Sequence, residues 1–221
     1  MDAIISQFFN IDIMRAALPT VLDGLWTTLS ICLIVIPLGL IGGLFAATGS
    51  LAGTRWIRWP VIVYVDLFRA IPPLVLLIFV YAGLPFAGIN LEPFAAVVLA
   101  FLLNNSAYYG EVYRAGILSV SDGQTEAARS TGLSSTQAFI HVVLPQAVRN
   151  VLPDLLSNTV EVVKLTSLAS VVSLGEMLHR ADMARSVTYN ASPIVLAALV
   201  YLIILWPCVR LISRFEHRIA H

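Results

Sequence analysis

The chain has 221 residues, of which 58% are hydrophobic and only 12% charged, with a mean hydropathy of +0.86. A soluble domain is roughly half apolar and a quarter charged, so this chain has too little polar surface to face water all round; it reads as an integral membrane protein, and a disordered chain, a disulfide scaffold and a nucleic-acid binder are excluded. Thirteen basic and thirteen acidic side chains cancel, leaving no net field toward an anionic partner.

The opening Met1-Asp2-Ala3-Ile4-Ile5 lacks the basic leader of a secretory signal, so the first apolar stretch is expected to direct insertion itself. A bilayer core about 30 Å thick takes roughly 20 apolar residues as a helix. Four windows hold no Asp, Glu, Lys or Arg: 24–54 with 31 positions, 70–91 with 22, 93–110 with 18 and 186–209 with 24. They are continuously apolar rather than alternating, which predicts helices and not a barrel. A fifth stretch, 150–178, is mostly apolar but carries Asp154, Glu161, Lys164 and Glu176. The fold expected is all-α and membrane-embedded, one domain over 1–221. Its five transmembrane helices are placed at 22–48, 59–83, 93–117, 150–176 and 191–212, with a loop at 118–149. In the first, Gly39, Gly43 and Ala47 recur every four residues, a spacing that lets helices approach closely, within the subunit or at a dimer seam.

Basic residues near the span ends orient the chain. Arg55, Arg58, Arg114, Arg129, Arg149, Arg210, Arg214 and Arg218 fall on one side, and Arg15, Arg180 and Arg185 on the other. The side with eight is expected to be cytoplasmic. That puts the central loop and C-terminus inside and the N-terminus outside.

The central loop carries two capping-box patterns, Ser121 with Gln124 and Ser134 with Gln137, and Gly132 stands where a helix would end in a left-handed turn. Two short helices with a sharp turn between them are predicted. Glu126-Ala127-Ala128 on the first would offer a narrow surface to a groove in a partner, although an ordinary amphipathic loop helix has the same composition. Pro145 and Pro153 mark the return to the membrane.

The spacing of Glu126, Ala127, Ala128, Gly132, Val142, Leu144 and Pro145 resembles the cytoplasmic signature of ABC importer permeases, with Val142 where Ile is commoner. Other stretches resemble the polar amino-acid branch, which takes up solutes of the histidine, glutamine and glutamate type. They are Gly24 to Ser30 (GLWTTLS), Leu67 to Pro72 (LFRAIP, with Ala70 and Ile71 as departures), Asn105 to Ile117 and Lys164 to Leu168 (KLTSL). The likeness covers about residues 20–218. It implies the type I importer permease fold, with a five-helix core and a coupling helix between spans three and four. It also implies a second permease subunit, two cytoplasmic ATPase subunits, an external solute-binding protein and residence in the bacterial inner membrane. Docking of the ATPase would fall to Glu126, Ala127, Ala128, Gly132, Leu144 and Pro145. No Gly-x-x-x-x-Gly-Lys-Ser/Thr occurs, so the chain is expected to be a transport subunit and not an enzyme, with ATP and Mg held by the partner and no cofactor of its own.

Ionisable residues at membrane depth are costly and mark function. Asp154, Asn158 and Glu161 form one stripe of the fourth span, with Lys164, Thr166 and Ser167 continuing its polarity. Asn104, Tyr108 and Glu111 form another on the third, beside Asn105 and Tyr109. Glu111 with Arg114 is expected to be a structural pair near the interface, and Arg69 to reach headgroups or a loop carbonyl. An α-amino acid offers a carboxylate and an ammonium group. The candidate pathway is Glu161 toward the ammonium and Lys164 or a broken helix end toward the carboxylate, with Asn105, Tyr108, Thr166 and Ser167 as neutral partners. Alternatively, Glu161 and Lys164 brace each other. Leu165 stands where relatives often carry an acid, which weakens the case for a cationic cargo.

Segment 176–192 resembles a short amphipathic surface helix, with Met177, Leu178, Met183 and Val187 apolar and Glu176, His179, Arg180, Asp182 and Arg185 polar. It is an external gate, a docking surface or a plain connector. His179 has no second ligand nearby, so no metal site is expected; His217 and His221 belong to a solvated tail. Cys32 and Cys208 read as small hydrophobes. The rivals are a self-sufficient secondary amino-acid carrier, which would show more spans and internal repeats, and a membrane enzyme, for which no catalytic constellation stands out.

Overall fold

A computed structural model describes residues 2–219, with side chains described from 4 to 214. The expected solvated histidines, His217 and His221, and the contribution of Arg218 to orientation lie outside the described side chains.

Helix formation follows the apolar runs. α1 (Asp2–Phe8) stops at Asn10, whose Oδ1 accepts the backbone N–H groups of Asp12 and Ile13, both at 3.1 Å. That cap starts α2 (Ile11–Ser50), whose 40 residues extend about 60 Å, well beyond a bilayer core. α3 (Arg55–Ala70) ends at Ile71, whose extended backbone is the conformation a following proline enforces. α4 (Pro73–Ile78) continues through a π turn (Phe79–Gly83) and a 3₁₀ turn (Leu84–Ala87). The second expected span is therefore two helices with a break at Ile71 and Pro72, not one. α5 (Pro93–Leu118) follows. The central loop forms α6 (Asp122–Ser130), α7 (Ser135–Ala138), a π turn (Phe139–Val143) and α8 (Leu144–Asn150). α9 (Leu152–Leu165) tightens into a 3₁₀ helix (Thr166–Val172), and α10 (Met177–Thr188) and α11 (Ser192–Ile219) complete the chain.

Three described stretches are long and apolar enough to cross a membrane: Ile4–Ser50, Leu152–Val172 and Ser192–Arg214. The broken pair Arg55–Ala70 and Pro73–Ala87 makes a fourth if it counts as one span. α5 has the length, at 26 residues, but Asn104, Asn105 and Ser106 lower its apolarity. Leu33, Phe45 and Ile203 are more than 70% exposed, as lipid-facing side chains would be.

The chain forms two compact units. The first comprises the chain up to Ile36 with Pro72–Phe101 and Val160–Leu211, and one of its core clusters is Val21, Met177, Ala181 and Ala197. The second comprises Pro37–Ile71, Leu102–Thr159 and the chain from Ile212, with Ala47, Tyr109, Tyr113, Val151 and Leu155 packed together. Within the second, Gly43 sits against Tyr109 so closely that an added Cβ would lie 2.5 Å from the tyrosine Cβ and 2.9 Å from the Gly110 nitrogen. The small-residue spacing read from the sequence is thus packing within the subunit.

Segment 176–192 departs from its expectation. α10 is there, but Met183 and Val187 are exposed while Met177 and Ala181 are buried, and Glu176 is completely buried. The helix is held by its N-terminal turn, where Glu176 accepts from the N–H groups of Leu178 at 2.8 Å and His179 at 2.7 Å.

Candidate functional site

Two clusters of the residues singled out by sequence take a definite form. The first is the central loop. Ser121 does occupy the N-cap of α6, but its hydroxyl makes no capping bond. Gln124, the expected reciprocal partner, has an Oε1 that accepts instead from Gln146 Nε2 at 3.3 Å. At α7 the capping box is complete: Gln137 N–H donates to Ser134 Oγ at 3.3 Å, and Ser134 N–H donates to Gln137 Oε1 at 2.9 Å. Between the helices, Gly132 has φ +94, a conformation that strains any residue with a Cβ, and its N–H reaches Arg129 O at 3.0 Å. Arg129 also bonds the Ser135 hydroxyl across the turn. The angle between α6 and α7 is therefore fixed on both sides.

On this scaffold Glu126 and Ala127 are exposed, whereas Ala128 is buried and anchors α6. Leu144 is half-buried and Pro145 exposed at the start of α8. Asn150 Nδ2 donates to Ser119 Oγ at 2.8 Å, tying the end of the loop back to the end of α5. All six expected docking residues belong to the second unit.

The second cluster lies on α9 and the 3₁₀ helix after it. Glu161 and Lys164 form an ion pair, with side chains 59% and 50% exposed. Ser167 Oγ donates to Lys164 O at 2.8 Å. Thr166 is buried; its hydroxyl donates to Val163 O at 2.7 Å and lies 3.3 Å from the Tyr201 hydroxyl. Lys164 and Ser167 line one cavity of about 320 Å³ with Tyr201, Leu202 and Leu205. These four expected pathway residues belong to the first unit; Asn105 and Tyr108 belong to the second. Asn105 is buried, and the Tyr108 hydroxyl donates to Arg69 O at 3.3 Å.

Sequence reasoning missed two arrangements. Glu111 and Arg114 pair as expected, through Arg114 Nε at 3.0 Å among other contacts. Arg69 joins them at 3.6 Å from Glu111, its guanidinium 5.6 Å above the Tyr108 ring. With Asp66 these charges line a cavity of about 240 Å³ within the second unit. Asp66 and Arg69 sit three apart on α3, and that spacing was the available signal. The other arrangement is the Glu176 junction, where Tyr201 also donates to the carboxylate and Met177 N–H reaches Thr28 Oγ1 at 3.3 Å. Glu176 lies beyond the Leu152–Val172 span, and burial pushes its carboxyl up to about 7 against the pull of those hydrogen bonds. Glutamate is an uncommon N-cap, so nothing local announced it.

Comparison with known proteins places these features in a family. Residues 36–221 match the model described as binding-protein-dependent transport system inner membrane component. The probable glutamine ABC transporter permease protein GlnM of Bacillus subtilis (strain 168) is 33% identical over 211 residues, covering 95% of this chain and 98% of that protein. The arginine transport system permease protein ArtQ of the same organism is 33% identical over 189 residues, covering 85% and 86%. A crystal structure of an amino acid ABC transporter with histidines superposes with a TM-score of 0.84 at 34% identity, covering 93% of this chain and 96% of that one. The methionine transporter MetNI in an inward-facing form, at 18% identity and a TM-score of 0.74, shares the fold. With its apolar helices and this extent of likeness, the chain belongs to the family of binding-protein-dependent transport system inner membrane components, the membrane-embedded permease subunits of ABC importers.

Proposed function

We propose that this permease carries a polar amino acid or a close derivative inward, driven by a separate ATPase that docks on α6. The observation that supports this most is the exposed Glu126-Ala127 edge of a nine-residue helix whose angle is set by Gly132 and by the capping box of Ser134 and Gln137. A short helix held this stiffly transmits a push rather than absorbing it. Movement of a docked partner would reach α5 and α9, which flank the loop, and rearrange the spans in a two-state manner. The five spans of this reading are α2, the broken pair α3 and α4, α5, α9 with its 3₁₀ end, and α11. Arginine distribution directs the loop and C-terminus to the cytoplasm and the N-terminus outward. A second permease subunit, two ATPase subunits holding ATP and Mg, and an external solute-binding protein complete the machine.

Glu161 and Lys164 would meet the ammonium and carboxylate of the cargo, with Ser167 shaping the wall beside Lys164. Relatives are named for glutamine and for arginine. Leu165, without a charge to hold a cationic side chain, favours a neutral cargo such as glutamine.

The test is uptake of radiolabelled glutamine and arginine into proteoliposomes holding the permease, its ATPase subunits and its binding protein. Uptake of glutamine that needs ATP is expected. Equal uptake by the permease alone, without the ATPase, would establish a secondary carrier instead.

A further inference from the structure

The second span breaks at two consecutive prolines, and proline has no N–H to give. In a continuing helix the N–H of residue 72 would serve the carbonyl of Phe68, and that of residue 73 the carbonyl of Arg69. Both carbonyls nevertheless have a donor. Asn104 Nδ2 donates to Phe68 O at 2.8 Å, and the Tyr108 hydroxyl donates to Arg69 O at 3.3 Å. Asn104 and Tyr108 stand one helical turn apart on α5, as the two adjacent carbonyls at the end of α3 require. One turn earlier on α3, the Tyr64 hydroxyl donates to Leu103 O at 3.1 Å and lies 2.6 Å from Ser106 Oγ, so the same face of α5 is already in register. Arg69 in turn stacks on the Tyr108 ring and pairs with Glu111. Asn104 is 1% exposed, so no water replaces its amide.

We propose that Asn104 and Tyr108 are positioning residues of the transport cycle, supplying the hydrogen bonds that Pro72 and Pro73 cannot and thereby locking the end of α3 to α5. A bare carbonyl at membrane depth is costly, so a sharp break in a span needs borrowed donors. The helix that lends them is the one leading into the α6 docking segment. Motion at the loop therefore reaches the break through two side chains. The proposal rests on the importer reading for its consequence, but its chemistry is testable without any cargo.

The experiment is hydrogen exchange on the permease assembled with its ATPase subunits, following peptides that cover 64–71, alongside ATP-driven uptake of radiolabelled glutamine. Asn104→Leu keeps the size of the side chain but removes the donor. Exchange there is expected to rise about tenfold, the loss of roughly one hydrogen bond, with uptake per ATP falling severalfold. Tyr108→Phe should act in the same direction. Asn104→Gln, which keeps an amide donor, should retain more protection than Asn104→Leu. Wild-type exchange in Asn104→Leu, or exchange raised equally in Asn104→Gln, overturns the assignment. Raised exchange in a protein whose uptake never responds to ATP would instead count against the importer reading.

Discussion

Glu161 and Lys164 touch on α9 with 59% and 50% of their side chains exposed. An ion pair that open contributes about 0–1 kcal/mol, so stability alone gives little reason to hold two charges there. Lys164 also lines the cavity with Ser167 and Tyr201. Replacing them with Gln and Met should leave the thermal midpoint within about 2 °C, as a change of a few tenths of a kcal/mol implies, and abolish uptake. Exchanging the charges, Glu161→Lys with Lys164→Glu, should not restore it; recovery in a proteoliposome uptake assay would identify a brace. At this scale sequence and structure agree where the interaction is local. Glu111 with Arg114, and Ser134 with Gln137, are three apart, and the helix period alone brings them together. Ser121 with Gln124 has the same spacing, yet Gln124 pairs with Gln146, a choice made by the folding of the whole loop.

Among the elements, α10 shows what spacing does not reveal. Its residues promise a surface helix, but Glu176 is buried where α2, the 3₁₀ helix after α9, α10 and α11 meet, near Thr28, Thr166 and Tyr201. Convergence of four elements leaves no trace in a window of twelve residues. The physical consequence is measurable. Desolvation raises the Glu176 carboxyl from its ordinary 4.5 to about 7. Between those values the folded chain holds a proton that the unfolded chain has released, so the stability contributed by this group falls as pH rises through about 4.5 to 7 and is flat on either side. Thermal unfolding of the purified permease across that range should show the decline, and Glu176→Gln should flatten it. A decline unchanged in the variant would assign it to another group. The single span placed at 59–83 passes over the signal of Pro72-Pro73, and the donors that make the break tolerable come from α5, more than thirty residues away.

For the whole molecule, composition and charge-free windows sufficed for an all-helical membrane protein, and the loop spacing sufficed for the family that residues 36–221 match. The division into two compact units was not legible. Each unit draws on three stretches of chain, and α2, α5 and α9 each contribute to both. Contacts between stretches so distant depend on packing volumes rather than on any local pattern, as with Gly43 against Tyr109. The proposed importer reading has force enter at α6. The direct measurement is crosslinking from Ala127→Cys, with Cys32 and Cys208 replaced by serine, in the importer assembled with its ATPase subunits. An adduct with the ATPase, formed to different extents with and without ATP, is expected; labelling of that cysteine by an impermeant reagent from the cell exterior, with no ATPase adduct in either state, would contradict the account.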